Sequence, residues 1–183
     1  TNAHDLSAYL ARQKRLSDVI TLHREYTPRV SRRYYLILAE AYKAANEWKS
    51  AEITYNRLRK DYPWDPMAVL FLADLYFYGT PETKSDPARL REHQSRANLI
   101  FAGGHYKDFV NRVDQRMQMG PLVHPFSGED YTYACLKITD ACCTIVERCG
   151  KLDKIWRLRA MTDAKWYLKK AARSAFFPKS LEE

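Results

Sequence analysis

The sequence predicts an all-α protein built from antiparallel helical hairpins, and three observations support this. The 183 residues include only six glycines and eight prolines, fewer than the frequent turns of an all-β fold require. Apolar residues recur at steps of three and four positions along most of the chain. No stretch approaches the roughly 18 consecutive apolar residues of a membrane-spanning helix, so we expect the helices to pack against one another in water.

The strongest pattern covers residues 32–65, where two periodic apolar sets are separated by Asn46 and end at Pro63. The first set is Tyr35, Leu38, Ala39 and Tyr42, and the second is Trp48, Ala51, Tyr55 and Leu58. Each set forms one face of a helix, and proline ends the second helix. We expect the two helix backbones to approach closely at Ala39 and Ala51, where a bulky side chain would separate them.

The order and spacing of these positions over 34 residues resemble the tetratricopeptide repeat, with Leu58 where an alanine is more usual. The resemblance implies a right-handed stack of hairpins, an α-solenoid, followed by a divergent C-terminal helical cap. We expect three tetratricopeptide-like hairpins in residues 1–101 and the cap, with a long basic helix, in residues 102–183.

The neighbouring hairpins are less regular. After residue 65, Asp65 should cap a helix that starts with Pro66 and stops at residues 79–81. Its second helix starts near Pro87 and lacks the aromatic anchor. Before residue 32, the sequence fits a hairpin that matches the repeat less closely and ends at Thr27 and Pro28. In it, His23 occupies the position that Tyr55 has in the clear repeat, and the apolar positions are Leu6, Leu10, Leu16, Val19 and Tyr26.

The second half of the chain loses the repeat spacing. A helix is expected over residues 104–118, closed by Gly120 and Pro121, and a loop over residues 122–128. Ser127 should cap the next helix, with Asp130 as its reciprocal partner, and that helix should end at Gly150. The last helix is expected over residues 152–177, forming a capping hairpin with the one before it.

The resemblance implies that the first helices of successive hairpins line a concave groove, which we expect to bind partners. The predicted lining residues are Arg33, Leu36, Ile37, Glu40, Lys43, Met67, Leu70, Phe71, Asp74 and Phe77. Six of the ten are apolar and are not required by the hairpin pattern, so the patch should seek burial. The chain's own C-terminal helix or a partner's amphipathic helix could cover it. A groove that binds a C-terminal carboxylate is not expected, because the positions that would need Lys, Asn or Arg hold Leu36, Glu40, Leu70 and Asp74, which cannot pair with a carboxylate.

The net charge of +8 is uneven, with nine basic and four acidic residues from Lys151 onward. We expect a basic docking face made of Lys154, Arg157, Arg159, Lys165, Lys169, Lys170 and Arg173. Because Trp156, Trp166 and Tyr167 interleave with these cations, RNA binding is the alternative function. Over RNA binding we favour an amphipathic helix that places its aromatic residues in the core and its basic face in water. As a third candidate, the basic face could bind an anionic membrane surface or an acidic subunit.

An enzyme is not expected, nor is a cofactor or a metal. The sequence has no glycine-rich phosphate loop, no serine elbow and no zinc-helix histidine pair, and its five histidines fall in separate segments. The four cysteines, Cys135, Cys142, Cys143 and Cys149, lie on one predicted helix, where spacing prevents disulfides and a common metal site. They are typical of small apolar side chains in a reducing compartment.

The function expected is a non-catalytic scaffold or accessory subunit within a multiprotein complex. The first residue, Thr1, is not methionine, so the chain should be a fragment or a mature form without its leader. Short, basic, tetratricopeptide-like proteins of this kind resemble accessory subunits of mitochondrial assemblies. We therefore expect an intracellular location, in the cytoplasm or, by this analogy, the mitochondrion.

Overall fold

The computed structural model describes residues 9–11, 15–25, 31–118, 128–148 and 154–174. These residues form helices and short connections, without a strand among them, so the chain is all-α as predicted. It divides into two compact units, Thr1–His93 and Gln94–Glu183. In the described part of the chain, no helix has both the length and the apolar character needed to cross a membrane.

Among the described residues, the first unit contains six helices, in addition to a helical segment at residues 9–11. They are α1 (Leu16–Glu25), α2 (Arg32–Ala44), α3 (Trp48–Asp61), α4 (Met67–Tyr78), α5 (Pro81–Ser85) and α6 (Pro87–His93). Helices α1 and α2, α2 and α3, and α3 and α4 pack against each other in sequence order. Consecutive helices are therefore neighbours, as a chain of hairpins requires.

The core of the predicted repeat is confirmed. Ala39 and Ala51 are completely buried, which shows that α2 and α3 approach closely where both helices carry a small residue. The buried cluster around them joins three helices and consists of Tyr35, Ala39, Ala51, Tyr55, Leu58, Ala68, Leu72 and Leu75. Trp48 packs at its edge, where its ring meets Tyr76 edge-on at 5.5 Å between centroids. The apolar periodicity of residues 32–65 thus corresponds directly to the packed core.

Two residues with positive φ shape the turns of this unit. Asn46, at φ 60°, reverses the chain between α2 and α3, a conformation that asparagine tolerates better than most residues. Gly79, at φ 72°, ends α4, and a Cβ atom there would lie 3.0 Å from Thr83. The short helix α5 begins at the end of the predicted break at residues 79–81, where the Thr80 hydroxyl accepts a hydrogen bond from the Thr83 amide.

The cap before α4 agrees with the sequence in its chemistry and differs by one residue in position. The carboxylate of Asp65 accepts a hydrogen bond of 3.0 Å from the amide of Met67, the first residue of α4, and is buried. The Arg32 side chain also donates to Asp65 and joins the starts of α2 and α4.

The first hairpin, which matches the repeat less closely, forms a second buried cluster in this unit. Its buried members are Leu10, Val19, Ile20, Tyr34, Leu38 and Ala41. The ring nitrogen Nδ1 of His23 lies 2.8 Å from the Tyr34 hydroxyl, so this residue packs against α2. The predicted positions Leu6, Tyr26, Thr27 and Pro28 lie outside the described residues.

The second unit contains α7 (Arg96–Gln118), α8 (Gly128–Arg148) and α9 (Lys154–Ser174). Helix α7 starts eight residues earlier than predicted and crosses the predicted boundary at residue 101, so the compact units divide at His93 instead. The reason is local: Ser95 Oγ accepts the Asn98 amide at 3.3 Å and starts the helix, which then continues through Gly103 and Gly104.

Helices α7 and α8 pack together, and α8 packs on α9. The α8–α9 pair is antiparallel, since Thr132 bonds to Ser174 at 2.7 Å and Thr139 donates to the Ala164 carbonyl at 3.3 Å. The core of the unit includes Tyr106, Phe109, Val110, Ala134, Cys135, Ile138, Ala164 and Ala171. Of the loop predicted at residues 122–128, Gly128 is instead the first residue of α8, and residues 122–127 with the Ser127 cap lie outside the described residues, as do Gly120, Pro121 and Gly150.

Candidate partner-binding surfaces

Helix α9 packs through two alanines and one tyrosine and exposes most of its other large residues. Ala164, Tyr167 and Ala171 recur at three- and four-residue steps and face the core. Trp156 and Trp166 are 51% and 56% exposed, so the prediction that the aromatic residues of this helix lie in the core is wrong for both. The alanine-lined face lets α9 approach α8 closely, and the tryptophans lie off that face.

The outward side of α9 is strongly apolar for a surface. Ile155 is 72% exposed and Leu158 is 68% exposed, and both belong to the first two turns of the helix. Met161 and Leu168 are exposed as well. Isolated apolar residues are common on protein surfaces, but a concentration of this kind on one helix indicates a contact surface.

The basic residues predicted to form a docking face share this helix. Lys170 differs from the others, because its Nζ atom lies 2.6 Å from the Asp114 carboxylate and ties α9 to α7. It therefore belongs to the packing of the unit. The remaining six have no ion pair within the described part of the chain and are exposed: Lys154, Arg157, Arg159, Lys165, Lys169 and Arg173. The acidic residue of α9, Asp163, pairs with Lys107 at 2.5 Å.

The predicted groove residues on α2 and α4 are accessible to different degrees. Arg33 and Glu40 are exposed, and six others are partly exposed: Leu36, Ile37, Lys43, Met67, Phe71 and Asp74. Leu70 and Phe77 are only 3% and 5% exposed, so they offer almost no surface to a partner.

The apolar groove residues also serve the core of the hairpins, contrary to the expectation that packing does not need them. Leu36 and Phe71 pack against the repeat cluster, and Ile37 packs against the cluster of the first hairpin. The Phe71 ring stacks on Tyr55 with 5.8 Å between centroids. The apolar patch left for a partner is therefore smaller than the sequence predicts.

The polar groove residues are joined in a small network. The Tyr55 hydroxyl donates to Glu40 at 2.6 Å, and Lys43 donates to the same carboxylate at 2.9 Å. Burial, followed by the charge of Glu40 and its hydrogen bond, raises the pKa of the Tyr55 hydroxyl. This network fixes Glu40 and Lys43 beside each other, so their charges largely cancel.

Comparison with protein families finds that residues 32–75 match the tetratricopeptide repeat. The chain contains a tetratricopeptide repeat. The match covers α2, α3 and most of α4, the same three helices that share the repeat cluster. No curated protein and no solved structure matches the chain at a significant level. Tetratricopeptide repeats typically bind other proteins and carry no catalytic residues.

Two of the three cysteines among the described residues are buried in the core of the second unit. Burial raises the pKa of the Cys135 thiol to about 12 and that of Cys142 to about 11, so neither forms a thiolate readily. Cys143 is free and exposed. His93 Nε2 lies 3.1 Å from the Tyr76 carbonyl at the end of α4. His4, His124 and Cys149 lie outside the described residues, and within those residues no group of three potential metal ligands occurs.

Proposed function

We propose that this chain is a non-catalytic scaffold or accessory subunit that binds protein partners within a larger assembly. The observation that carries the proposal is the outward face of α9, where large apolar side chains occur together with cations that have no ion pair among the described residues. The tetratricopeptide repeat supports the same function, because such repeats are typically interaction modules.

The chemistry of α9 favours an acidic partner. Six exposed cations on a helix of 21 residues generate a positive potential that steers negatively charged surfaces toward it. Contact with Ile155 and Leu158 then removes apolar surface from water, which contributes about 25 cal/mol per Å². A partner segment that carries both carboxylates and apolar side chains satisfies both features.

The repeat groove serves as a second, weaker contact surface in this proposal. Arg33 and Met67 retain accessible surface at its ends. Leu36 and Phe71 can contribute only the parts of their side chains that the core leaves open. We therefore assign the groove to specificity and α9 to most of the binding energy.

RNA binding is the second candidate function, favoured by the exposure of Trp156 and Trp166. Exposed indole rings beside cations can stack on unpaired bases while the cations contact phosphates. The Arg96 guanidinium lies 6.0 Å from the Trp156 ring centroid, and Lys170 Nζ lies 6.0 Å from that of Trp166.

The test compares the purified chain with a variant that carries Ile155→Glu and Leu158→Glu, using affinity capture from the native source. The control is Ile53→Glu, which places one glutamate, against the two of the double variant, at a half-exposed isoleucine of the first unit. We expect the double variant to lose its partners and the control to retain them. Equal capture by both variants would remove α9 as the docking surface.

RNA binding is tested separately with labelled single-stranded RNA at two salt concentrations. Binding through phosphates should weaken steeply as the salt concentration rises. The RNA candidate further requires that Trp166→Ala weaken binding, because stacking on an aromatic ring is worth about 1–3 kcal/mol per base. Absence of binding at low salt would eliminate this candidate and leave the protein partner.

We also propose an intracellular, reducing compartment, with the mitochondrion favoured over the cytoplasm. The exposed free thiol of Cys143 fits such an environment, in which thiols stay reduced. Fractionation of cells that express the tagged native protein tests the location, and recovery from a secretory fraction would contradict it.

A further inference from the structure

The second unit contains a cavity of about 440 Å³ bordered by α7, α8 and α9. This volume falls within the range typical of sites for small organic ligands. Its apolar lining is made by Leu99, Ile100, Ile145, Trp156 and Ala160. Ile100 and Trp156 remain exposed, so the apolar lining continues out to the protein surface.

Two neighbouring glycines of α7 border this cavity, and one of them has no packing role. A Cβ atom at Gly103 would lie 4.0 Å from Ala141, an ordinary contact between two packed helices. A Cβ atom at Gly104 would meet nothing within 4 Å. Glycine inside a helix is unfavourable relative to alanine, so packing does not explain Gly104. Its missing side chain leaves open space on the cavity wall.

The charges that line the cavity favour an anion. Among the described residues that line the cavity, the acidic one is Asp163, and Lys107 pairs with its carboxylate at 2.5 Å. Arg96 and Arg159 also line the cavity, and neither has an ion pair in the part of the chain that the structure describes. The Arg96 guanidinium is held beside the Trp156 ring. Two guanidinium groups next to an apolar space can bind one carboxylate through charge-assisted hydrogen bonds.

We propose that this cavity binds a small apolar carboxylate, with its hydrocarbon part against the lining of α7 and α8 and its carboxylate between Arg96 and Arg159. This inference goes beyond the proposed scaffold function, because it concerns a ligand held in a cavity and does not require a partner on the outward face of α9, although Arg159 belongs to both sites. Apolar walls favour the hydrocarbon part by removing it from water, and the arginines select the anionic end.

The first experiment compares two monomeric amphiphiles of equal chain length and opposite charge, dodecanoate and dodecyltrimethylammonium, by isothermal titration calorimetry. We expect dodecanoate to bind at least about tenfold more tightly, because one charge-assisted interaction is worth that factor or more. Amide chemical shifts should locate the ligand at Gly103, Gly104 and Ala141, which line the cavity. Equal binding of the two amphiphiles would overturn the assignment of the arginines.

The second experiment fills the cavity. Gly104→Leu adds a side chain in the open space and improves helix propensity, so the variant should fold normally while dodecanoate binding falls at least about tenfold. Gly128→Leu is the matched control, because a Cβ atom there also meets nothing within 4 Å and the residue does not line the cavity. Unchanged binding by a folded Gly104→Leu variant would overturn the site.

The third experiment separates the two arginines from the general positive charge of α9. The double variant Arg96→Gln, Arg159→Gln removes two charges that line the cavity, whereas Arg157→Gln, Lys165→Gln removes two exposed charges that do not. We expect the first variant to lose the preference for dodecanoate and the second to keep it. Equal losses in both variants would show that the preference is not a property of the cavity.

Discussion

Replacement of Leu58 by alanine tests the packing of the tetratricopeptide repeat. Leu58 is completely buried in the cluster that joins α2, α3 and α4. The change removes three carbon groups, and their transfer out of water contributes about 0.8 kcal/mol each, or about 2.4 kcal/mol in total. The cavity left behind adds to this, so we expect unfolding to require about 3–5 kcal/mol less free energy.

Ile53→Ala is the matched control on the same helix. Its side chain is 52% exposed, so only about half of the transfer term applies and no closed cavity forms. We expect a loss of less than about 1.5 kcal/mol for this variant. The difference between the two variants then measures burial within the repeat and excludes a general effect of alanine in α3.

Urea denaturation followed by tryptophan fluorescence measures both variants, in a background where Trp156 and Trp166 are replaced by phenylalanine. The two remaining tryptophans, Trp48 and Trp64, then both report on the first unit, and the Trp48 ring packs against Tyr76. The slope of the free energy against urea concentration should stay unchanged if the unit unfolds in one step. A loss for Leu58→Ala below about 1.5 kcal/mol, or no larger than that of Ile53→Ala, would refute the three-helix core.

Three further predictions follow from the buried groups. Cys143 is exposed and should react with a maleimide in the folded protein. Burial raises the pKa of Cys142, so this thiol should react only after unfolding, and mass spectrometry of the labelled protein measures both reactions. Burial and the Arg57 charge lower the pKa of His23 below 6.5, so the folded state binds fewer protons than the unfolded state. The melting temperature should therefore fall as the pH is lowered from about 7 to about 5.5, and His23→Gln should reduce that fall. Tyr55→Phe should cost about 1–2 kcal/mol in urea denaturation, because it removes a buried hydrogen bond to a carboxylate.

The sequence predicts the repeat core well because its signal is local and redundant. Ala39 faces Ala51, and large aromatic residues surround them at helical spacing, so only one hairpin arrangement buries the whole set. The start of α7 is missed for the opposite reason. A single capping contact sets this start, since Ser95 Oγ accepts the Asn98 amide, and the helix then continues through Gly103 and Gly104 despite the low helix propensity of glycine.

The candidate surfaces are predicted less well than the fold, because hydrophobicity alone does not say which side of a helix is buried. The groove positions Leu70 and Phe77 are assigned to an open surface and are buried in the structure. Trp156 and Trp166 are assigned to the core and are exposed. The first error comes from treating apolar residues outside the hairpin pattern as surface residues, and the second comes from the assumption that the largest apolar residues mark the packed face.

Helix α9 shows the physical reason why that assumption fails. Ala164 and Ala171 are buried, which permits close approach to α8, and among the described residues of the helix Tyr167 is the one large side chain buried with them. The other large residues lie at its flanks and on its outer side, where water contacts them at an unfavourable free energy. A partner that covers Ile155 and Leu158 recovers that free energy. Small residues on the packed face therefore determine both how the second unit folds and where it presents an apolar surface for binding.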